Sequence, residues 1–361
     1  MEREARAITT PFWDALLTGG LSLVGMTLVL AAMFLFGARV TVSKSDWITL
    51  SILINATHFM ASYRLLYVSR AQVLANRWST LYVPAALLVV LVVGATTPLR
   101  AFLFDQLLVG SAIYLAWHYT GQAWGMVASF GHATGVGFTP RERSMIRFGM
   151  RTLLVLHILI TTSGWFPPER WIPTATYVRI YGTSFYAVCA VAAVSLGVGA
   201  MGFRSARRRV GRLPIRVVLP WAALYLWYPF WYLVPGGFLF VQLSHALQYL
   251  AFPLRVEVNR YASAVPRSAQ QRRMRALLAY VGLVLAGSVV LFGPILATRW
   301  LGPGWYSTPS VREVFAAFTN CVAIHHYFID GAVWKLSNPT VRRELFSHLG
   351  NEATKQGERE R

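Results

Sequence analysis

Histidine is the residue type with the widest chemistry in this sequence, and its placement narrows what that chemistry can be. Of eight histidines, His58, His118, His132, His157, His245, His325 and His326 fall in or beside long apolar runs, and His348 lies outside them. An ionisable group in such a run is costly to bury and is a functional candidate by default. His118 has Gln122 four residues on, His245 has Gln248 three on, and His326 has Asp330 four on. Residues at these spacings share a helix face, so each pair can point at one centre. Neutral imidazole suits iron, copper or zinc, and a carboxylate adds charge neutralisation. The expected metal ligands are His58, His118, His245, His325, His326 and Asp330. Gln122, Gln248, Tyr119, Tyr249 and Tyr327 stand where they could orient those ligands from behind. His157, in LLVLHILITT with no polar neighbour, reads as a packing residue.

The elements that must position these groups are long apolar helices. A spanning helix needs about 20 mostly apolar residues. Segments 15–37, 47–67, 80–98, 102–124, 148–166, 181–202, 215–234, 236–255, 276–298 and 311–334 meet that requirement. Pro235-Gly236-Gly237 separates two of them and has the composition of a tight turn. Basic residues crowd the loops after the even-numbered segments, such as Arg204 to Arg212 and Arg255 to Arg275, and thin out after the odd ones. That alternation predicts an all-α, polytopic membrane bundle of about ten transmembrane helices with both termini cytoplasmic. Residues 1–350 form a single transmembrane helical domain in this reading, and the polar segment 351–361 is a disordered tail. The first apolar segment, preceded by acids and lacking a cleavage site after it, is expected to stay as a helix.

Depth ties the histidines together. His245 lies ten residues before Arg255 and His326 nine before Lys335, while His58 precedes Arg64 and Arg70. At about 1.5 Å of rise per residue these three share one level in the cytoplasmic half. His118 fits less simply, because the next basic residue is Arg141. Either segment 102–124 runs long, or the chain bends after Gln122 and His132 takes the place of His118.

Composition agrees with the membrane reading. The 361 residues are 55% hydrophobic and 13% charged, with a net charge of +20 from 34 Lys+Arg against 14 Asp+Glu. Soluble domains carry about 25% charged residues. The basic excess belongs to loops facing the cytoplasm rather than to nucleic-acid binding, since no soluble stretch is long enough for such a module. Cys189 and Cys321 sit in apolar runs and read as small hydrophobes.

The segments NATHFMASYRLLY, WHYTGQAWGM, QLSHALQYLAFPLR and IHHYFIDGAVWK each join histidine to aromatics and a few polar groups. In this organisation the chain resembles the histidine-rich membrane oxygenases, a class that includes fatty-acid desaturases and hydroxylases and bacterial carotene-cleaving dioxygenases. The HxxxH and HxxHH boxes of the desaturases are absent, so the resemblance implies a chemistry class and not a set of residue roles. It implies an oxidoreductase or oxygenase in a bacterial inner membrane, with non-haem iron (or copper) acting on a lipophilic substrate. Because the chain has no nucleotide fingerprint, any electron donor would be a separate protein. Two alternatives stay open from the residues alone. One is a b-type haem electron carrier using His118 and His132, fourteen residues apart. The other is a proton-coupled transporter.

Overall fold

The computed structural model describes residues 6–40, 55–163, 169, 171–264, 271, 274–275, 277–289, 309–336 and 338–349. Among the described residues the chain is all-helical, with no strand. The tail 351–361 and the first part of segment 47–67 lie outside them.

Local sequence sets where each helix starts and stops. Helix α1 (Pro11–Phe36) opens on Thr10, whose hydroxyl accepts from the Trp13 N–H, with proline in the first turn. It ends at Gly37 in the left-handed region, where the missing Cβ removes the usual penalty. Helix α2 (Thr57–Leu66) and the short α3 (Arg70–Ala75) lead to α4 (Trp78–Thr96). Helix α5 (Arg100–Ala133) has 34 residues, about 51 Å of rise and well beyond the thickness of a bilayer core. Helix α6 (Pro140–Thr161) starts with a capping box between Thr139 and Glu142. Helix α7 (Thr174–Val210) ends on Arg207, Arg208 and Arg209, where cations favour the negative end of the helix dipole. Helices α8 (Leu219–Leu233) and α9 (Gly237–Ala264) are joined at Pro235-Gly236-Gly237, with Gly236 at φ 74°. The tight turn expected there is present. Helix α10 (Leu277–Val289), α11 (Pro309–Val333) and α12 (Pro339–Phe346) complete the order among the described residues.

Among the described residues a helix overlaps each of the ten apolar segments read from the sequence. Four of them, α1, α4, α6 and α7, are long and apolar enough to cross a membrane. Their outer surfaces carry exposed Leu28, Phe34, Leu88, Val89 and Val194. Soluble monomers rarely expose so much apolar surface, and these helices mark a membrane protein.

The core lies where α5, α8 and α9 meet, around Phe130, Trp227, Phe230 and Phe252. Close backbone approach is required at Gly19, where an added Cβ would come within 2.5 Å of the Leu219 carbonyl oxygen, so α1 can lie directly against α8. At the charged end, buried Glu257 of α9 receives Arg64 of α2 at 3.0 Å and Arg260 at 3.6 Å. Arg260 also reaches Glu344 of α12 at 2.8 Å. These ion pairs tie α2, α9 and α12 together below the histidines.

Candidate metal centre

Four helices deliver the site, and none belongs to the four apolar enough to be recognised as spans by composition. From α2 comes His58, from α5 His118, from α9 His245, and from α11 His326 with Asp330. All five side chains are buried. The Nε2 atoms of His58 and His326 are 2.8 Å apart, and those of His118 and His245 are 3.0 Å apart. Asp330 Oδ2 lies 3.5 Å from His326 Nε2 and 3.8 Å from His118 Nε2. Ligating atoms of His58, His118, His326 and Asp330 all fall within 4.8 Å of one another, and His245 joins through His118.

This spacing has a simple geometric meaning. Two nitrogens each about 2.1 Å from one ion and at right angles to each other would be about 3.0 Å apart. Two bare imidazole lone pairs this close repel each other, so either a shared cation or a proton on one nitrogen must lie between them. The first arrangement brings His58, His118 and His326 to one centre with Asp330, with His245 beside His118. The donor set of imidazoles and one carboxylate suits a transition metal.

The carboxylate is held from behind. Asp330 Oδ1 accepts from Ser62 Oγ at 2.6 Å and from the Tyr249 hydroxyl at 2.9 Å, which leaves Oδ2 to face the histidines. The Trp334 indole N–H donates to the Tyr249 oxygen at 2.9 Å. The imidazoles are oriented differently. Among the described residues, Nδ1 of His58, His245 and His326 meets no hydrogen-bond partner of the kind that commonly backs a metal-bound histidine. Aromatic faces pack the rings instead. Tyr249 lies 4.2 Å from the His58 ring, Tyr119 4.3 Å from His245, Phe59 4.4 Å from His326, and Tyr327 4.6 Å from His118.

The structure departs from the sequence expectation at three residues. His325, expected as a ligand, turns away. Its Nδ1 is 2.9 Å from the Tyr63 hydroxyl and its Nε2 2.9 Å from the Ser79 carbonyl oxygen. Neighbouring helical residues diverge by about 100°, so His325 and His326 cannot both face one centre. His132 does not replace His118. Helix α5 continues unbroken through both, and His132 packs against Phe346 with ring centroids 4.7 Å apart. Gln248 points to the Thr18 carbonyl on α1 at 2.8 Å, whereas Gln122 does brace the site, donating to the His245 carbonyl at 3.0 Å. His157 sits with Tyr228 at 3.3 Å, away from the cluster.

Sequence reasoning missed Ser62 and Trp334. Each lies four residues beyond a ligand, His58 and Asp330 respectively, so the one-face rule that paired His326 with Asp330 would have found both.

One wall of the site opens into a cavity of about 280 Å³ between α5 and α11. His118 and Asp330 reach it, and Trp117, Met126, Phe252 and Tyr327 give it an apolar lining. No family model matches the sequence, and neither a curated protein nor a solved structure matches it.

Proposed function

We propose that this protein is a metal-dependent membrane oxidoreductase, with non-haem iron held by His58, His118, His245, His326 and Asp330 and a lipophilic substrate in the adjoining cavity. The observation that carries the reading is the convergence of His58, His118, His326 and Asp330 within 4.8 Å of one another, with His245 3.0 Å from His118, beside an apolar cavity. Mixed imidazole and carboxylate donors with an open side are the pattern of non-haem iron oxygenases. Such a metal supplies the redox chemistry, while the chain supplies ligands, an apolar pocket and substrate alignment.

Five donor groups suffice for one ion and are few for two. Copper is served by the same imidazoles, but the carboxylate favours iron. Haem b fits the geometry less well. Its two axial nitrogens would stand about 4 Å apart across the macrocycle, and the nitrogens here are 2.8 and 3.0 Å apart. In the same reading the ten apolar segments each cross a bacterial inner membrane, both termini face the cytoplasm, and the histidines occupy the cytoplasmic half. The basic loops on that side would hold anionic lipid and receive a separate electron-donor protein.

The test is metal content by mass spectrometry, with an absorption spectrum on the same sample, for the purified wild type and His326→Ala. About one iron per chain without a Soret band, lost in the variant, is the expected result. A Soret band would move the reading to electron transfer. Neither metal nor haem in folded protein would exclude both.

A further inference from the structure

The cavity beside the cluster is elongated, and its two ends differ. Helices α5 and α11 run in the same direction along it, since Tyr114 stacks on Phe328 at 4.8 Å and His118 faces Asp330 further along both. Lining residues on α5 run from Trp117 and His118 through Gly121 and Gly125 to Ser129. His118 to Ser129 corresponds to about 16 Å of helix rise. A Cβ added at Gly121, Gly125 or Gly331 would meet nothing within 4 Å, so these three glycines widen the space rather than close a helix contact. At the inner end stand His118 and Asp330. Asp330 has one oxygen held by Ser62 and Tyr249 and the other turned to the histidines. Lys335, exposed and the single Lys or Arg among the described lining residues, lies five residues beyond Asp330 on the chain leaving α11.

From this arrangement we infer that the cavity takes a single-chain lipid with one acidic headgroup. Lys335 binds the headgroup, and the chain runs past Gly125 and Gly121 to the cluster. Three observations lead there. The walls are apolar and aromatic, so the body of the ligand is hydrocarbon. About 280 Å³ lies at the small end of ligand pockets and matches the bulk of one hydrocarbon chain. Among the described lining residues the exposed charge is the positive Lys335, and the carboxylate of Asp330 is engaged by other groups. A neutral hydrocarbon would leave Lys335 without a role in recognition, and a cationic amphiphile would be repelled. The inference rests on the proposed function for which end of the ligand reacts, but the recognition of the headgroup stands on the cavity alone.

The test uses the full chain, purified in neutral detergent, with radiolabelled palmitate and hexadecanol as probes in a scintillation proximity assay. The acid should bind about tenfold more tightly than the alcohol, the worth of one charge-assisted contact. Lys335→Gln should remove that preference by weakening palmitate alone, and Lys335→Arg should keep it. Gly125→Leu, which fills the cavity without a backbone clash, should weaken both ligands. Equal affinity for acid and alcohol in the wild type would overturn the inference, as would a preference that survives Lys335→Gln. Palmitate binding unchanged by Gly125→Leu would place the ligand elsewhere and overturn it too. Iron is counted in the same samples. A headgroup preference without iron would leave this inference standing and remove the metal reading, and iron without a preference would do the opposite.

Discussion

The four helices that look most like membrane spans and the four that carry the histidines are different sets. Helices α1, α4, α6 and α7 each contain an apolar stretch long enough to cross a membrane and bury between 11 and 39% of it. Helices α2, α5, α9 and α11 place His58, Ser62, His118, His245, Gln248, His326 and Asp330 in the interior. The apolar set spends its side chains on the surrounding hydrocarbon, while the polar set spends them on one another. Hydropathy therefore picks out the shell of this protein and passes over the helices that do its chemistry. A polar group in the inner set is tolerated because it faces a partner across the bundle, as Ser62 faces Asp330.

The sharpest way to break this comparison is to remove one inner ligand. His58→Ala should abolish metal retention, while His325→Ala should keep the metal and lose about 1–3 kcal/mol of stability from its bonds to Tyr63 and Ser79. Metal content per chain and thermal unfolding of both variants check this. If the two variants lost metal equally, the assignment of faces on α2 and α11 would be wrong.

The next largest effect belongs to the shell. Leu88 lies near the middle of α4 and is exposed on its outer face. Leu88→Lys should cost about 3 kcal/mol, the insertion penalty of lysine at a bilayer centre. It should appear as reduced membrane insertion or as a lower detergent midpoint, with metal content per folded chain unchanged. A variant that inserts and unfolds like the wild type would show that this face does not meet lipid.

Much of this was legible in the sequence, for reasons that differ by element. The ten apolar segments each hold a helix because a long apolar run satisfies its backbone internally, and Pro235-Gly236-Gly237 marks its turn through Gly236 at φ 74°. Asp330 could be attached to His326 because a four-residue spacing fixes a shared face. The same rule could not choose between His325 and His326, since it needs a known partner helix to say which face is inward. Nor could it turn Gln248 toward Thr18, a contact across 230 positions of sequence. The puzzle of His118 came from loop charge. The basic residues after segment 102–124 begin at Arg141 because α5 extends to Ala133 before the chain turns.

Smaller effects should separate the two ways the ligands are held. Tyr249→Phe removes one hydrogen bond to Asp330 and leaves the ring against His58. It should weaken metal affinity by about 10–100-fold, as loss of an outer-shell partner does. Chelator competition gives the measurement, and an unchanged affinity would mean that Ser62 alone fixes the carboxylate.

The smallest effect is expected where a buried histidine serves packing alone. His157 is fully buried against Tyr119, Tyr228 and Trp231, and its polar contact is Tyr228 at 3.3 Å. His157→Phe keeps the ring and gives up that bond, so stability should fall by about 1 kcal/mol with metal content unchanged. Tyr119 makes the comparison exacting, because its ring lies 5.6 Å from His157 on one side and 4.3 Å from His245 on the other. If orientation of the ligands depends on aromatic packing, a phenyl ring at 157 preserves the contact and the metal stays. Loss of metal in His157→Phe would extend the site through Tyr119 to a second layer, and the division between packing and ligand histidines would have to be redrawn.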